Sequence, residues 1–264
     1  MKKSRWLTPG DRNVAEVLRH FTRHTPGGEL AEEDGVLLVA ASPIWPAPYS
    51  DAALRTDPKV SPSEVLERAA AFFRQRDMSY CVWAADHADS DLEAACVGAG
   101  LSAITAAGSP HMIIEHRLPN AVAEPPLAVR EVGDEVGREA FVAVTGRAYA
   151  SMGVPAAVAA GTFARLESLT APNVRSVVAW DGDDPVSAAM VIVSDGVGGV
   201  NYVGTVPEAR GRGLGELTTR WATNAAFDLG AEASTLQASP MGEPVYRRMG
   251  YREITRYRWY LGGG

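Results

Sequence analysis

Val200-Asn201-Tyr202-Val203-Gly204-Thr205-Val206-Pro207-Glu208-Ala209-Arg210-Gly211-Arg212-Gly213-Leu214-Gly215 decides the fold of this chain. Its first half is an alternating apolar run that reads as a strand. Pro207 cannot donate to a sheet ladder, so the strand ends or leaves its neighbour there. Glycines at 211, 213 and 215 then let the backbone turn tightly without Cβ clashes. A helix follows, and its unpaired N–H groups and positive dipole end point back at the turn. Such an arrangement predicts an anion cradle, best filled by a phosphate or pyrophosphate.

Spacing decides which phosphate ligand. A P-loop needs Lys-Ser or Lys-Thr after its last glycine, and a dinucleotide fingerprint needs G-x-G-x-x-G with an acid about 20 residues on. Here Glu216 follows Gly215, and the next predicted strand ends in Gln237-Ala238-Ser239 without a carboxylate. Arg210, Gly213 and Gly215 instead match Arg/Gln-x-x-Gly-x-Gly/Ala. At this point the chain resembles the GCN5-related N-acetyltransferase (GNAT) family, whose members cradle the pyrophosphate of acetyl-coenzyme A in that loop. A second family motif, Asn-x-x-Ala-x-x-apolar-Tyr-x-x-x-Gly-Phe, is occupied by Ser239, Gly242, Val245, Tyr246, Gly250 and Tyr251. Of the departures, Ser239 for Asn is the one that touches a usual cofactor contact. The resemblance spans residues 126 to 261.

The remaining elements fit that reading. Leu127 to Val132 predicts an entry strand, and Asp134 to Arg147 and Pro155 to Leu166 predict two helices. Val174 to Trp180 and Val186 to Ser194 form a meander that leads into the cradle strand. Leu217, Trp221, Ala225 and Leu229 mark one face of the helix after the cradle, and Ser234 to Ala238 is a buried strand. In the first half, strands at Val36 to Ala41 and Tyr80 to Ala85 alternate with helices at Pro62 to Arg76 and Ser90 to Gly98, and two strands lead to His116. Setting Ala94 to Leu101 beside Pro244 to Tyr251 puts Gly100 on Gly250 and Cys96 on Tyr246. The expectation is an α/β (α+β) chain of the GNAT acyl-CoA N-acyltransferase fold, with two tandem lobes and mixed, mostly antiparallel sheets. Residues 1–117 form a degenerate GNAT-like lobe that lacks the phosphate loop, or an unrelated α/β cap. Residues 118–126, with Pro119, Pro125 and Pro126, are a linker, and 127–264 the N-acetyltransferase domain.

From Leu118 to Gly264 there is no lysine, histidine or cysteine, which rules out a Ser-His-Asp triad, a thiolate nucleophile, a Schiff-base lysine or a His/Cys zinc site built from that half alone. Acyl transfer from a thioester to a free amine suits such a site, because the donor is already activated and the substrate is the nucleophile. The resemblance implies acetyl-CoA as cosubstrate, with no metal. It implies cofactor contacts from Val206, whose N–H would meet the thioester carbonyl where the two central strands splay, from Arg210, Gly211, Arg212, Gly213, Leu214 and Gly215 in the cradle, and from Ser239. It also makes Tyr246 the general acid that reprotonates the leaving thiolate, a role that a pKa of about 10 suits. The base is open between Glu243, Asp195 and a water chain, since the cradle strand carries Asn201 and Tyr202 and no acid before Glu208. The expected activity is transfer of acetyl to a primary amine, small molecule or peptide, by direct attack in a ternary complex. The alternatives are a non-catalytic acyl-CoA-binding regulator or an acyltransferase for longer acyl-CoAs. The loop from Gly146 to Pro155, with Tyr149 and Met152, is where the resemblance places acceptor selection.

A net charge of −7 argues against a nucleic-acid partner, and no apolar run approaches a membrane span or a signal peptide's core. Cys81 and Cys96 read as reduced core residues, and His20 and His24 as one solvated helix face rather than a metal site. A cytoplasmic monomer or homodimer is expected.

Overall fold

The computed structural model describes residues 4–42, 50–120 and 124–263; of the expected linker, residues 121–123 lie outside the described residues. The first half runs α1 (Leu7–His24), β1 (Glu29–Glu33), β2 (Val36–Ala40), β3 (Asp51–Arg55), α2 (Pro62–Arg74), β4 (Tyr80–Ala85), α3 (Ser90–Gly98), β5 (Ser102–Ala103) and β6 (Ser109–Ile114). The second runs β7 (Leu127–Glu131), α4 (Glu135–Ala150), α5 (Ala156–Thr162), α6 (Glu167–Thr170), β8 (Val174–Asp181), β9 (Asp184–Ser194), β10 (Val197–Thr205), α7 (Leu214–Asp228), β11 (Ala233–Gln237), α8 (Glu243–Met249) and β12 (Arg252–Gly262). None of the described helices is long and apolar enough to cross a membrane.

The sheets of the two halves join into one, in the order β1-β2-β3-β4-β12-β6-β11-β10-β9-β8-β7, with β5 beside β12. Only β3/β4 and β10/β11 pair in parallel. The join is an exchange. The last strand, β12, lies between β4 and β6 of the first half, while β6 lies between β12 and β11 of the second. Each half thus completes its sheet with a strand from the other, and neither leaves an open edge at the middle.

The halves also repeat each other. Helix α3 ends with the Leu101 N–H on the Cys96 carbonyl and α8 with the Tyr251 N–H on the Tyr246 carbonyl, both at 3.0 Å, each through a left-handed glycine, Gly100 or Gly250. These are the same helix stop at the two positions that the sequence aligns. Cys96 is fully buried and its thiol is pushed up to about 12 by burial, so it sits as a small apolar residue where the second half has Tyr246.

Helix α1 bridges the halves. Val14, Ala15 and Leu18 pack with Leu37, Trp83 and Tyr257, whereas Val17 and Phe21 pack with Phe141, Val144 and Phe163. Its end is covered by α6, which corrects the expectation for His20. That ring is 5% exposed, its Nε2 lies 2.8 Å from the Ser168 carbonyl, and burial lowers it to about 4. The expected helix from 155 to 166 stops at Thr162, because Phe163 turns fully into the core, and resumes as α6. Helix α4 begins where expected, with the Asp134 carboxylate accepting the Gly137 N–H at 2.8 Å.

Candidate active site

Strands β10 and β11 pair from Val197/Ala233 to Val200/Leu236 and then part. Just beyond that point the register of β10 on β9 shifts between Asn201 and Gly204, and Tyr202 adopts a φ of +49°. A left-handed tyrosine is strained by about 1–2 kcal/mol. The ring lodges among Phe21, Phe163 and Tyr149, with centroids at 5.2, 4.6 and 5.5 Å, and that packing holds the bulge in place. Gly204 lets α4 approach closely, since a Cβ there would lie 2.9 Å from the Cβ of Ala148. The result is a cleft of about 500 Å³ bounded by the edge of β10 that β11 leaves, the end of β11, the start of α7 and α8.

The start of α7 is built as the sequence predicted. Gly211 and Gly213 have φ of +78° and +77°, and space is open around both. No side chain caps the helix, and its first internal bond is from the Leu217 N–H to the Gly213 carbonyl at 3.0 Å, so the N–H groups of Leu214, Gly215 and Glu216 lie ahead of the ladder. At the corresponding helix of the first half, Ser61 caps α2 by accepting the Glu64 N–H at 3.3 Å, and Pro62 removes a donor. That helix start is closed by its own residues.

Tyr246 forms part of the cleft wall and is 8% exposed, with its hydroxyl bonded to the Thr219 side chain. Burial pushes it up to about 12, so it keeps its proton throughout the physiological range. The glycine at 242 now has a reason: a Cβ there would lie 2.6 Å from the Tyr246 ring.

The two arginines behave differently. Arg210 lines the cleft but ties its guanidinium to Ser151 Oγ at 2.6 Å and to the Ala148 and Thr205 carbonyls at 3.3 and 3.2 Å, fixing the end of α4 to the cradle. Arg212 pairs with Asp181 at 2.8 Å and is not among the lining residues. Ser239 lines the cleft, and its Oγ accepts the Gly242 N–H at 3.2 Å, opening α8. Tyr149 and Met152 reach the cleft wall.

Val206 requires correction. Its N–H is bonded to the Val186 carbonyl at 3.0 Å and its side chain is 1% exposed in the core. The strands part six residues earlier, after Val200, because the bulge and not Pro207 ends the pairing. The edge that β11 leaves is therefore 201–205, where side chains of Tyr149, Ser187 and Arg210 hold the Val203, Gly204 and Thr205 carbonyls. Both carboxylates considered as base lie elsewhere: Glu243 pairs with Arg247 at 2.7 Å, and Asp195 sits in the β9–β10 hairpin, 3.5 Å from Arg12, at the far end of β10. Glu208 pairs with Arg147. Among the lining residues the one carboxylate is Glu216, held by Arg220 at 2.7 Å. Asn201, Gln237 and Arg248 also line the cleft. Gln237 Nε2 lies 3.3 Å from Nδ1 of His111, which β6 carries in from the first half. Nothing local in the sequence signals that pairing.

An uncapped helix start, a glycine turn with room around it and a strand edge that its neighbour has left meet in one cleft, an arrangement able to receive an anion. No cluster of metal-ligating side chains occurs among the described residues.

Comparison with known proteins bears on the fold. The model of the acetyltransferase (GNAT) family matches residues 151–251. The uncharacterized N-acetyltransferase YjcF of Bacillus subtilis is 30% identical over 79 residues, which are 30% of this chain and 56% of that one, so the chain spans little more than half the length of this curated relative. A GCN5-related N-acetyltransferase from Kribbella flavida superposes with a TM-score of 0.72 at 23% identity, over 96% of this chain and 95% of its own. A tandem GNAT protein from the clavulanic acid biosynthesis pathway gives 0.58 at 13% identity, over 97% and 96%. At these identities the likeness is one of fold. The chain has the GNAT fold along its whole length, and its second half carries the family's sequence signature.

Proposed function

We propose that this chain transfers an acetyl group from acetyl-coenzyme A to a primary amine, by direct attack within a ternary complex. Residues 127–264 carry the machinery and residues 1–117 lend β6. The observation that carries this reading is the meeting of the uncapped start of α7, the edge of β10 that β11 leaves and the Tyr246 side chain in one cleft. Acetyl-coenzyme A supplies an acyl group already activated as a thioester. The N–H groups of Leu214, Gly215 and Glu216, with the dipole of α7 behind them, hold the pyrophosphate. The edge at 201–205 offers to the pantetheine amides the backbone groups that Tyr149, Ser187 and Arg210 leave over. Tyr246 gives its proton to the departing sulfur. Burial raises it to about 12, so it stands protonated as a hydrogen-bond donor to the sulfur as charge develops there, and its proton passes over only in step with its replacement by the proton lost from nitrogen.

Two measurements test this: calorimetric binding of acetyl-CoA, and thiol release in the presence of amines. Tyr246→Phe should bind acetyl-CoA with unchanged affinity and lose about 10²-fold in kcat. Full turnover by that variant would remove the acid role, and no acetyl-CoA binding by the wild type would remove the proposal. The lack of a carboxylate on β10 favours a second reading, a non-catalytic acyl-CoA-binding protein, for which binding would occur without turnover.

A further inference from the structure

Resting on the transfer reading, we infer that the acceptor is a weakly basic primary amine on an apolar body, an aromatic amine or an α-amino amide, which reaches the cleft uncharged. The reason is the proton inventory around the parting of β10 and β11. From α4 comes Tyr149, with its hydroxyl on the Val203 carbonyl at 3.4 Å. From α8 come Tyr246, protonated, and Arg248. The cradle adds Arg210, and α7 adds Glu216 in its ion pair with Arg220. Behind Gln237 stands His111, 2% exposed and lowered to about 4 by burial, hence a poor proton acceptor. Among the described lining residues the one carboxylate is committed to Arg220, and the guanidiniums of Arg210 and Arg248 oppose a cation's entry.

Apart from Asn201, Thr205 and Ser239, the rest of the wall is apolar or glycine. Val200, Val203, Leu236 and Val245 line it, and Met152 and Met241 stand 44% and 59% exposed among the lining residues. Methionine suits a rim that accommodates an aromatic or aliphatic body. In the reaction the nitrogen lone pair forms the C–N bond and the C–S bond breaks with its electrons on sulfur. Sulfur takes the Tyr246 proton, and the proton lost from nitrogen restores Tyr246 through cleft solvent.

The test compares phenylalaninamide and 4-methylaniline with phenethylamine, by acetyl-CoA-dependent thiol release. An α-amino group titrates near 7.7 and an alkylamine near 10.4, so at pH 7.5 their neutral fractions differ by about 300-fold. Phenylalaninamide should exceed phenethylamine in kcat/KM by about that factor, and phenethylamine should gain about tenfold per pH unit up to pH ~9.5. Gln237→Glu, which puts a carboxylate in the cleft wall, should narrow the gap at least tenfold. Equal turnover of phenethylamine at pH 7.5 with a flat pH profile overturns the inference. So does acetyl-CoA binding without turnover of either weak base, whereas failure of the wild type to bind acetyl-CoA overturns the transfer reading beneath it.

Discussion

Gly213→Glu sets the charge of a carboxylate directly on the cradle. The residue stands at the start of α7 with φ of +77°, and a Cβ there meets nothing within 4 Å, so the substitution adds no clash. Its structural cost is the left-handed backbone, about 1–2 kcal/mol, partly offset because the new carboxylate caps the helix. The cost to binding is larger. Self-capping withdraws one of the three N–H groups of Leu214, Gly215 and Glu216 from the ligand, and a hydrogen bond to a charged group is worth about 1.5–3 kcal/mol. Repulsion between the carboxylate and a doubly charged pyrophosphate about 5 Å away adds roughly 1.7 kcal/mol even at the dielectric of water. Together these raise the Kd for acetyl-CoA by about 10²- to 10³-fold. Calorimetry with acetyl-CoA and free CoA, beside a melting curve, reads both consequences. Gly213→Ala imposes the same backbone strain without the charge and should bind within about tenfold of wild type. A folded Gly213→Glu protein with unchanged affinity would refute the cradle, and an alanine variant as impaired as the glutamate would refute the electrostatic account of it.

Residues 127–264 expressed alone should be insoluble or unfolded by circular dichroism, because β12 loses β4 and β6 and β11 loses β6; coexpression with residues 1–120 should recover soluble complex by gel filtration. Gly242→Ala should lower kcat at least tenfold and cost about 1–3 kcal/mol in denaturant titration, since its Cβ displaces the Tyr246 ring. Acid should destabilise the chain. His20 and His111, both lowered to about 4, stay neutral when folded but charge at about 6.5 when unfolded, so the stability they contribute is full above 6.5 and is lost as pH falls toward 4. Asp51, raised to about 7 by burial, works oppositely over much of that window, leaving a net slope of about 1.4 kcal/mol per pH unit. Asp51→Asn should steepen the slope; an unchanged slope in urea titrations from pH 4 to 6.5 would contradict this balance.

The glycine cradle and the stop after Tyr246 were legible because both are local: Gly213 and Gly250 stand at left-handed positions that favour glycine, and the neighbouring residues fix the helix on either side. The repeat of that stop at Gly100 was legible for the same reason. Arg210 and Arg212 looked alike in the chain, yet one braces α4 and the other pairs with Asp181, a difference set by which elements happen to surround them. Val206 was misplaced because the bulge at Asn201–Gly204 depends on where the Tyr202 ring finds its pocket, and that pocket includes Phe21 of α1. His20 reads as a surface residue until α6 is laid over it.

By itself, then, the sequence determined the order of strands and helices in the second half, the glycine turn before α7 and the tyrosine on α8, since these follow from backbone preferences and spacing over a few residues, whereas it left β1 and β3 of the first half unread. The exchange of β6 and β12, the point where β10 leaves β11 and the pairing of Glu216, the one carboxylate among the described lining residues, with Arg220 belong to the tertiary structure alone. Strand partners more than a hundred residues apart are chosen by which pairing buries both faces and closes both edges, and no local pattern in a chain encodes that choice.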